Sequence, residues 1–183
     1  MTLSFQTKWP ERMGELAGQP NYFIEKIWSG LKFDDPREWS ILHSCYLREC
    51  KLKTGKEWGN EHPNIARSYH PKLHTIRKDS GNRWKPGMDI HFVINNRTKN
   101  RFQFAPIIPC ESIQKIEIRH ESRWKGVLIN GWPFYEENEL YYTQREAMNT
   151  LALNDGFPTV EAFFDYFNED FEGKLIHWTD LKY

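Results

Sequence analysis

One stretch constrains this chain more than any other: Lys72-Leu73-His74-Thr75-Ile76-Arg77, followed by Trp84-Lys85-Pro86-Gly87-Met88-Asp89-Ile90. It sets a lysine, a hydroxyl and an arginine within six residues, then a turn, then a strand. Burying an ammonium beside a guanidinium is costly, so such a cluster calls for an anion, a carboxylate or a ligand. The alternative is a strand edge with solvated basic residues. Beyond it the chain turns β. Met88, Ile90, Phe92 and Ile94 alternate with Asp89, His91 and Val93, Asn95 to Asn100 is a polar turn, and Phe102 and Phe104 alternate on a return strand. Pro106 and Pro109 confine the end of that strand to an edge or a bend.

The remaining segments fill in around this hairpin. Leu3, Phe5 and Thr7 predict a short strand ended by Trp9-Pro10, and residues 11–20 a loop. Phe23, Ile24, Ile27, Trp28 and Leu31 recur at helical spacing, with Asn21 as cap and Gly30 near the stop. Trp39, Ile41, Leu42, Tyr46 and Leu47 fit a further helix, and Lys51 to His62 an exposed loop. Ile113, Ile116 and Ile118 predict a strand, Val127 to Ile129 a short one, and Gly131 to Asn138 a loop exposing Trp132 and Tyr135. Thr143-Gln144-Arg145-Glu146 has the form of a capping box opening a helix that Asn154-Asp155-Gly156 stops. Val160, Phe163, Phe164 and Phe167 predict the next helix, and Leu175 to Trp178 a closing strand. Short strands with helices in the middle and at the end point to a small mixed α+β barrel.

With 183 residues the chain is expected to form one domain, 1–183, carrying an insertion at about 32–70 packed on the main core. Lysine and arginine number 25, as do aspartate and glutamate, so the chain is not built to coat polyanions non-specifically. Nucleic-acid contact would need a local patch or pocket. The basic residues Lys72, Arg77, Lys78, Arg83 and Lys85, and Arg97, Lys99 and Arg101 on the hairpin tip, are interleaved with His74 and Trp84. That is the pattern of a single-stranded or extruded-base site, against a solvated charged face at the tip. No stretch reads as a signal peptide or a membrane span. Three cysteines argue against a disulfide framework. A cytoplasmic protein is therefore expected, with no membrane partner.

Thr75 and Arg77 share a face of a strand; Lys72 joins them only if the chain bends before Thr75, as Pro71 favours. Such a trio suits acyl transfer. A threonine hydroxyl needs a base, a buried lysine beside a cation can be one, and an arginine can hold an oxyanion. Asp155 is the candidate acid, with Glu161 and Glu111 behind it, unless Asp155 merely ends its helix. His43-x-Cys45 with Cys50 lacks a fourth metal ligand, and Pro71 argues against a helix aligning His70 with His74. No metal or cofactor is expected.

Lys72-x-x-Thr75-x-Arg77, followed by Trp84-x-Pro86-Gly87-x-Asp89, resembles the ASCH domain, a branch of the PUA-like superfamily. Asp155-Gly156-Phe157, Glu161-x-Phe163 and the final Ile176-His177-Trp178 are also similar to that family. The resemblance runs from about Lys72 to the end; residues 32–70 have no counterpart in compact members. It implies a β-barrel with flanking helices and a cleft beside the motif, and it links the chain to RNA or nucleic-acid recognition. Some small bacterial members are amidohydrolases that deacetylate N(4)-acetylcytidine. Carried over by motif, Lys72 is the base, Thr75 the nucleophile and Arg77 a supporting cation. The family's glutamate falls at or near Asp155, which is one methylene shorter. That departure favours recognition of a nucleobase, nucleoside or single-stranded RNA in a cleft lined by Lys72, Thr75, Arg77 and a stacking Trp84. The alternatives are amidohydrolysis by Lys72, Thr75 and Asp155, or a protein-interaction domain whose 32–70 segment carries the partner surface.

Overall fold

A computed structural model describes residues 1–55, 69–121, 124–138 and 142–183. They form an α+β arrangement of two sheets with helices. The first strand, β1 (Thr2–Phe5), leads through a 3₁₀ segment, Glu11–Leu16, into α1 (Phe23–Gly30) and α2 (Pro36–Thr54). Then come β2 (His74–Arg77), β3 (Asp89–Ile94), β4 (Phe102–Gln103), β5 (Ile108–Pro109), β6 (Ser112–Glu121), β7 (Trp124–Ile129) and β8 (Trp132–Glu136). The chain ends with α3 (Tyr142–Asn154), α4 (Val160–Tyr166) and β9 (Phe171–His177).

One sheet orders β1-β3-β4, with β5 also paired to β3; the other orders β2-β9-β6-β7-β8. Neither path returns to its first strand, so the expected barrel is not closed. Instead, two apolar clusters meet across the β2/β9 pair. The first gathers Phe5, Ile27, Trp28, Phe92, Phe104 and Ile176; the second gathers Ile116, Val127, Met148, Leu151, Phe163 and Leu175. Alternation along a strand explains the split. Thr75 pairs with Ile176 and Ile76 with Leu175, so successive pairs face opposite clusters.

Several local expectations are corrected. Residues 131–138 contain strand β8, in which Trp132 is exposed but Tyr135 is buried. Its antiparallel register with β7 satisfies backbone groups that a loop would leave to water. Residues 11–20 hold the 3₁₀ segment. Lys51–Thr54, read as loop, complete α2, whose Gly55 cap takes a left-handed conformation. The rest of that expected loop, residues 56–62, lies outside the described residues. Thr143 sits inside α3 rather than before it. Within the segment read as an insertion, Trp39 and Cys50 of α2 join the first cluster, and the Trp39 indole donates to the Trp28 carbonyl at 2.8 Å.

Candidate functional site

The turn after α3 is built as a Schellman motif. The Phe157 amide donates to the Ala152 carbonyl and the Gly156 amide to Leu153, both at 2.9 Å, with Gly156 at φ +91°. A Cβ at Gly156 would stand 2.9 Å from a Phe23 ring carbon, so both conformation and space call for glycine. Asp155 is thereby the last residue of the helix cap. The Leu73 amide donates to the Asn154 carbonyl at 2.8 Å, tying this turn to the residues that lead into β2.

Lys72 meets Asp155 there. The two residues are 1% and 3% exposed. The Lys72 Nζ donates to Asp155 Oδ1 at 2.5 Å and also to the Asp155 carbonyl. It lies 4.9 Å from the centroid of the Phe23 ring. Burial pushes the Lys72 ammonium down to about 8; Asp155 opposes that fall, and Arg77 and Lys26 add to it. Burial likewise pushes the Asp155 carboxyl above its ordinary range, against the pull of Lys72. Both partners are thus driven toward their neutral forms. A second lysine serves the same turn: Lys26 Nζ donates to the Gly156 carbonyl at 2.7 Å, and burial brings it to about 8 as well.

On the other side of Asp155 stands His74, fully buried, its Nδ1 3.7 Å from Asp155 Oδ1. Its Nε2 lies 2.9 Å from the Tyr183 hydroxyl, which accepts from Asn154 Nδ2 at 3.0 Å. His177 pairs with His74 across the strands, at a ring separation of 5.2 Å. Desolvation, with His177 and Lys72 adding to it, holds His74 well below the usual imidazole range, and burial brings His177 to about 4. Both rings are therefore neutral at pH 7.

The other sequence candidates divide. Thr75 is buried on the opposite face of β2 from His74, and its hydroxyl makes no hydrogen bond among the described residues. Arg77 shares that face; it donates to the Ser4 carbonyl at 3.0 Å and lies over the Phe5 ring. Trp84 is 6% exposed and belongs to the first apolar cluster, so it offers no open stacking face. Glu111 and Glu161 are exposed, leaving Asp155 as the carboxylate that meets Lys72. Arg97, Lys99 and Arg101 on the hairpin tip are exposed, as solvated charge requires. Tyr183, Asn154 and Lys26 join the cluster without a local sequence signal: their partners lie 109, 29 and 130 positions away, and no local pattern carries such a pairing.

Among the described residues no group of three or more His, Cys, Asp or Glu side chains is placed to hold a metal ion. The three cysteines are free thiols. No described helix is long and apolar enough to cross a membrane. No family model, curated protein or solved structure matches the chain.

Proposed function

We propose that the Lys72–Asp155 pair is the proton-handling centre of an amidohydrolase acting on a small acylated nucleobase or nucleoside of the N(4)-acetylcytidine type, on a PUA-like scaffold of the ASCH kind. The observation that carries this reading is the 2.5 Å contact between two almost fully buried groups of opposite charge. Each is pushed toward its neutral form at the strand that presents Thr75. Perturbed pairs of this sort concentrate at reacting centres. Shorter than the family's glutamate, Asp155 still reaches the lysine, because the helix cap carries it in.

The chemistry follows from these groups. Neutral Lys72 takes the Thr75 hydroxyl proton as Oγ1 bonds to the acyl carbon. The C–N bond then breaks, and the leaving nitrogen takes a proton from the Lys72 ammonium or from protonated Asp155. Water hydrolyses the acyl-threonine, releasing the carboxylate and restoring the hydroxyl. Arg77 supplies positive charge on the face of Thr75.

A second reading is recognition of the nucleoside without turnover. It is favoured by Thr75 itself, whose hydroxyl is not hydrogen-bonded to Lys72 or Asp155. Hydrolysis of N(4)-acetylcytidine, followed by chromatography, separates the two. Turnover that disappears in Thr75→Ala and Lys72→Ala, with the Thr75→Ala protein melting as a folded domain, supports the hydrolase. Saturable binding of the nucleoside without hydrolysis supports recognition. Neither binding nor turnover removes both.

A further inference from the structure

The buried polar groups beyond Lys72 and Asp155 form a directed chain, and its direction can be read from donor and acceptor capacity. His70 Nε2 lies 3.1 Å from Asn154 Oδ1. That oxygen can only accept, so His70 donates and Asn154 turns its amide nitrogen toward Tyr183. The Tyr183 hydroxyl accepts this N–H at 3.0 Å. An Nε2–H tautomer would set the Nδ1 lone pair of His74 against the Asp155 carboxylate 3.7 Å away, so the hydroxyl proton goes to His74 Nε2, at 2.9 Å. A neutral imidazole that accepts at Nε2 carries its proton on Nδ1. That nitrogen faces Asp155 Oδ1 at 3.7 Å and has no hydrogen-bond partner among the described residues. Tyr183 is held in place by two bonds to Gln114: its amide donates to Gln114 Oε1 at 2.9 Å, and its carbonyl accepts from Gln114 Nε2 at 2.6 Å.

We infer that Tyr183 and His74 are positioning residues for the reacting pair: the Tyr183 hydroxyl fixes His74 as the Nδ1–H tautomer, and that N–H is aimed at the Asp155 carboxylate that holds Lys72. The inference rests on the reading of Lys72 and Asp155 as the proton-handling centre. The charged and titratable groups around the chain are consistent with it. Asp155 faces Lys72 from the segment before β2 and the Ile76 backbone and His74 from β2, with Arg77 at longer range, and Lys72 in turn faces Lys26. His74 faces His177 on β9 and Lys72, both of which disfavour a second proton on the ring. His177 makes no hydrogen bond through either nitrogen, so it does not compete for the His74 Nδ1 proton through one.

The experiment is nuclear magnetic resonance on the full chain labelled with ¹⁵N-histidine and with ¹³C at the lysine ε-carbon. The expected His74 pattern is a protonated Nδ1 and an unprotonated Nε2 at pH 7. In Tyr183→Phe the ring stays beside Phe134 and His74, but the acceptor at Nε2 loses its donor. The single tautomer should be lost. The carboxylate then protonates more readily, so the Lys72 titration midpoint should fall by about half a pH unit. Asn154→Asp replaces the donor with an acceptor, reverses the chain and should give the Nε2–H tautomer. An Nε2–H tautomer in the unaltered protein overturns the inference. So does a Tyr183→Phe protein, folded by its spectrum, in which tautomer and midpoint are unchanged. These readouts need no turnover: an inactive protein with the expected tautomer would count against the hydrolase alone.

Discussion

Asp79 and Asp155 are both buried aspartates in turns, and their surroundings push them in opposite directions. The Asp79 carboxylate accepts from the amides of Arg83 and Trp84, both at 3.0 Å. Burial, the largest influence, pushes it upward, but the Trp84 and Arg83 amides together with the charges of Arg83 and Lys174 outweigh burial and hold it below the usual carboxylate range. At Asp155 burial is opposed chiefly by the Lys72 ammonium, with smaller help from Arg77 and the Ile76 backbone, and burial wins. Backbone amides are fixed, uncharged donors that stabilise an anion without a second ion to desolvate. A buried ammonium brings its own desolvation, so the pair stays poised between charged and neutral forms. The first turn carries a settled anion; the second carries the pair on which the proposed proton transfer rests.

The sharpest way to break this comparison is Lys72→Ala. It strands Asp155 without its counter-charge, and the expected loss is about 3–5 kcal/mol in urea denaturation at pH 7. With no Lys72, the folded-state affinity of Asp155 for a proton rises further above its unfolded value near 3.8. Between those two values the native state then binds more protons than the unfolded one, so the variant loses stability as pH rises through that window. It should fare better relative to the unaltered protein at pH 5 than at pH 8. A double change, Lys72→Met with Asp155→Leu, should recover most of the loss, because two apolar groups replace the pair.

Asp79→Asn is the matching change at the other turn, with a smaller expected loss of about 1–3 kcal/mol at pH 7. One amide keeps an acceptor, but the charge that strengthens both bonds is gone. The pH dependence has the opposite sign. The Asp79 contribution is present above its unfolded value near 3.8 and is lost as pH falls through its lower folded value. Denaturation curves of the two proteins should differ at pH 7 and converge in acid. A constant difference down to pH 2 would show that the charge is not what the amides hold.

Histidine titration supplies an intermediate effect. His177 is buried, and its folded value, about 4, lies below the ordinary imidazole value of 6.5. The unfolded chain binds the extra proton between those values, so stability rises with pH from about 4 to 6.5 and is lost as pH falls through that window. The slope approaches one proton, about 1.4 kcal/mol per pH unit at most. His177→Phe should flatten this limb in urea titrations. An unchanged slope would place the protons on another group, with His74 the next to test.

The sequence pattern located much of this. The hairpin of β3 and β4, the two late helices and the closing strand all follow from period-2 or helical spacing. Spacing and the resemblance to the ASCH family single out Lys72, Thr75 and Arg77, with Asp155 as the carboxylate that goes with them. The pattern failed where side-chain partners lie far apart in the chain. Trp84 looked like a stacking residue because basic neighbours surround it, yet Asp79 folds the turn so that the indole enters the core. Tyr135 looked exposed because its segment reads as a turn, yet pairing with β7 buries it. Tyr183 carries no local signal at all; its role depends on β2, α3 and β6 meeting at one place. Closure of the sheets was likewise illegible, since strand order depends on long-range pairing rather than on the period of any one strand.

The smallest expected effect is the most discriminating. Arg83 is the cation that pairs with Asp79 among the described residues, its Nε 3.8 Å from Oδ1, but its side chain is 72% exposed against 1% for Asp79. If the carboxylate is held by amides, removing the guanidinium should matter little: Arg83→Ala should cost about 0.2–1 kcal/mol, the range of a solvent-exposed pair. High salt should erase most of that difference, because an exposed pair is screened. A loss comparable to that of Lys72→Ala would mean that both aspartates depend on a side-chain cation. The contrast between the two turns would then collapse, and with it the argument that Asp155 is singled out for chemistry by the kind of partner it has.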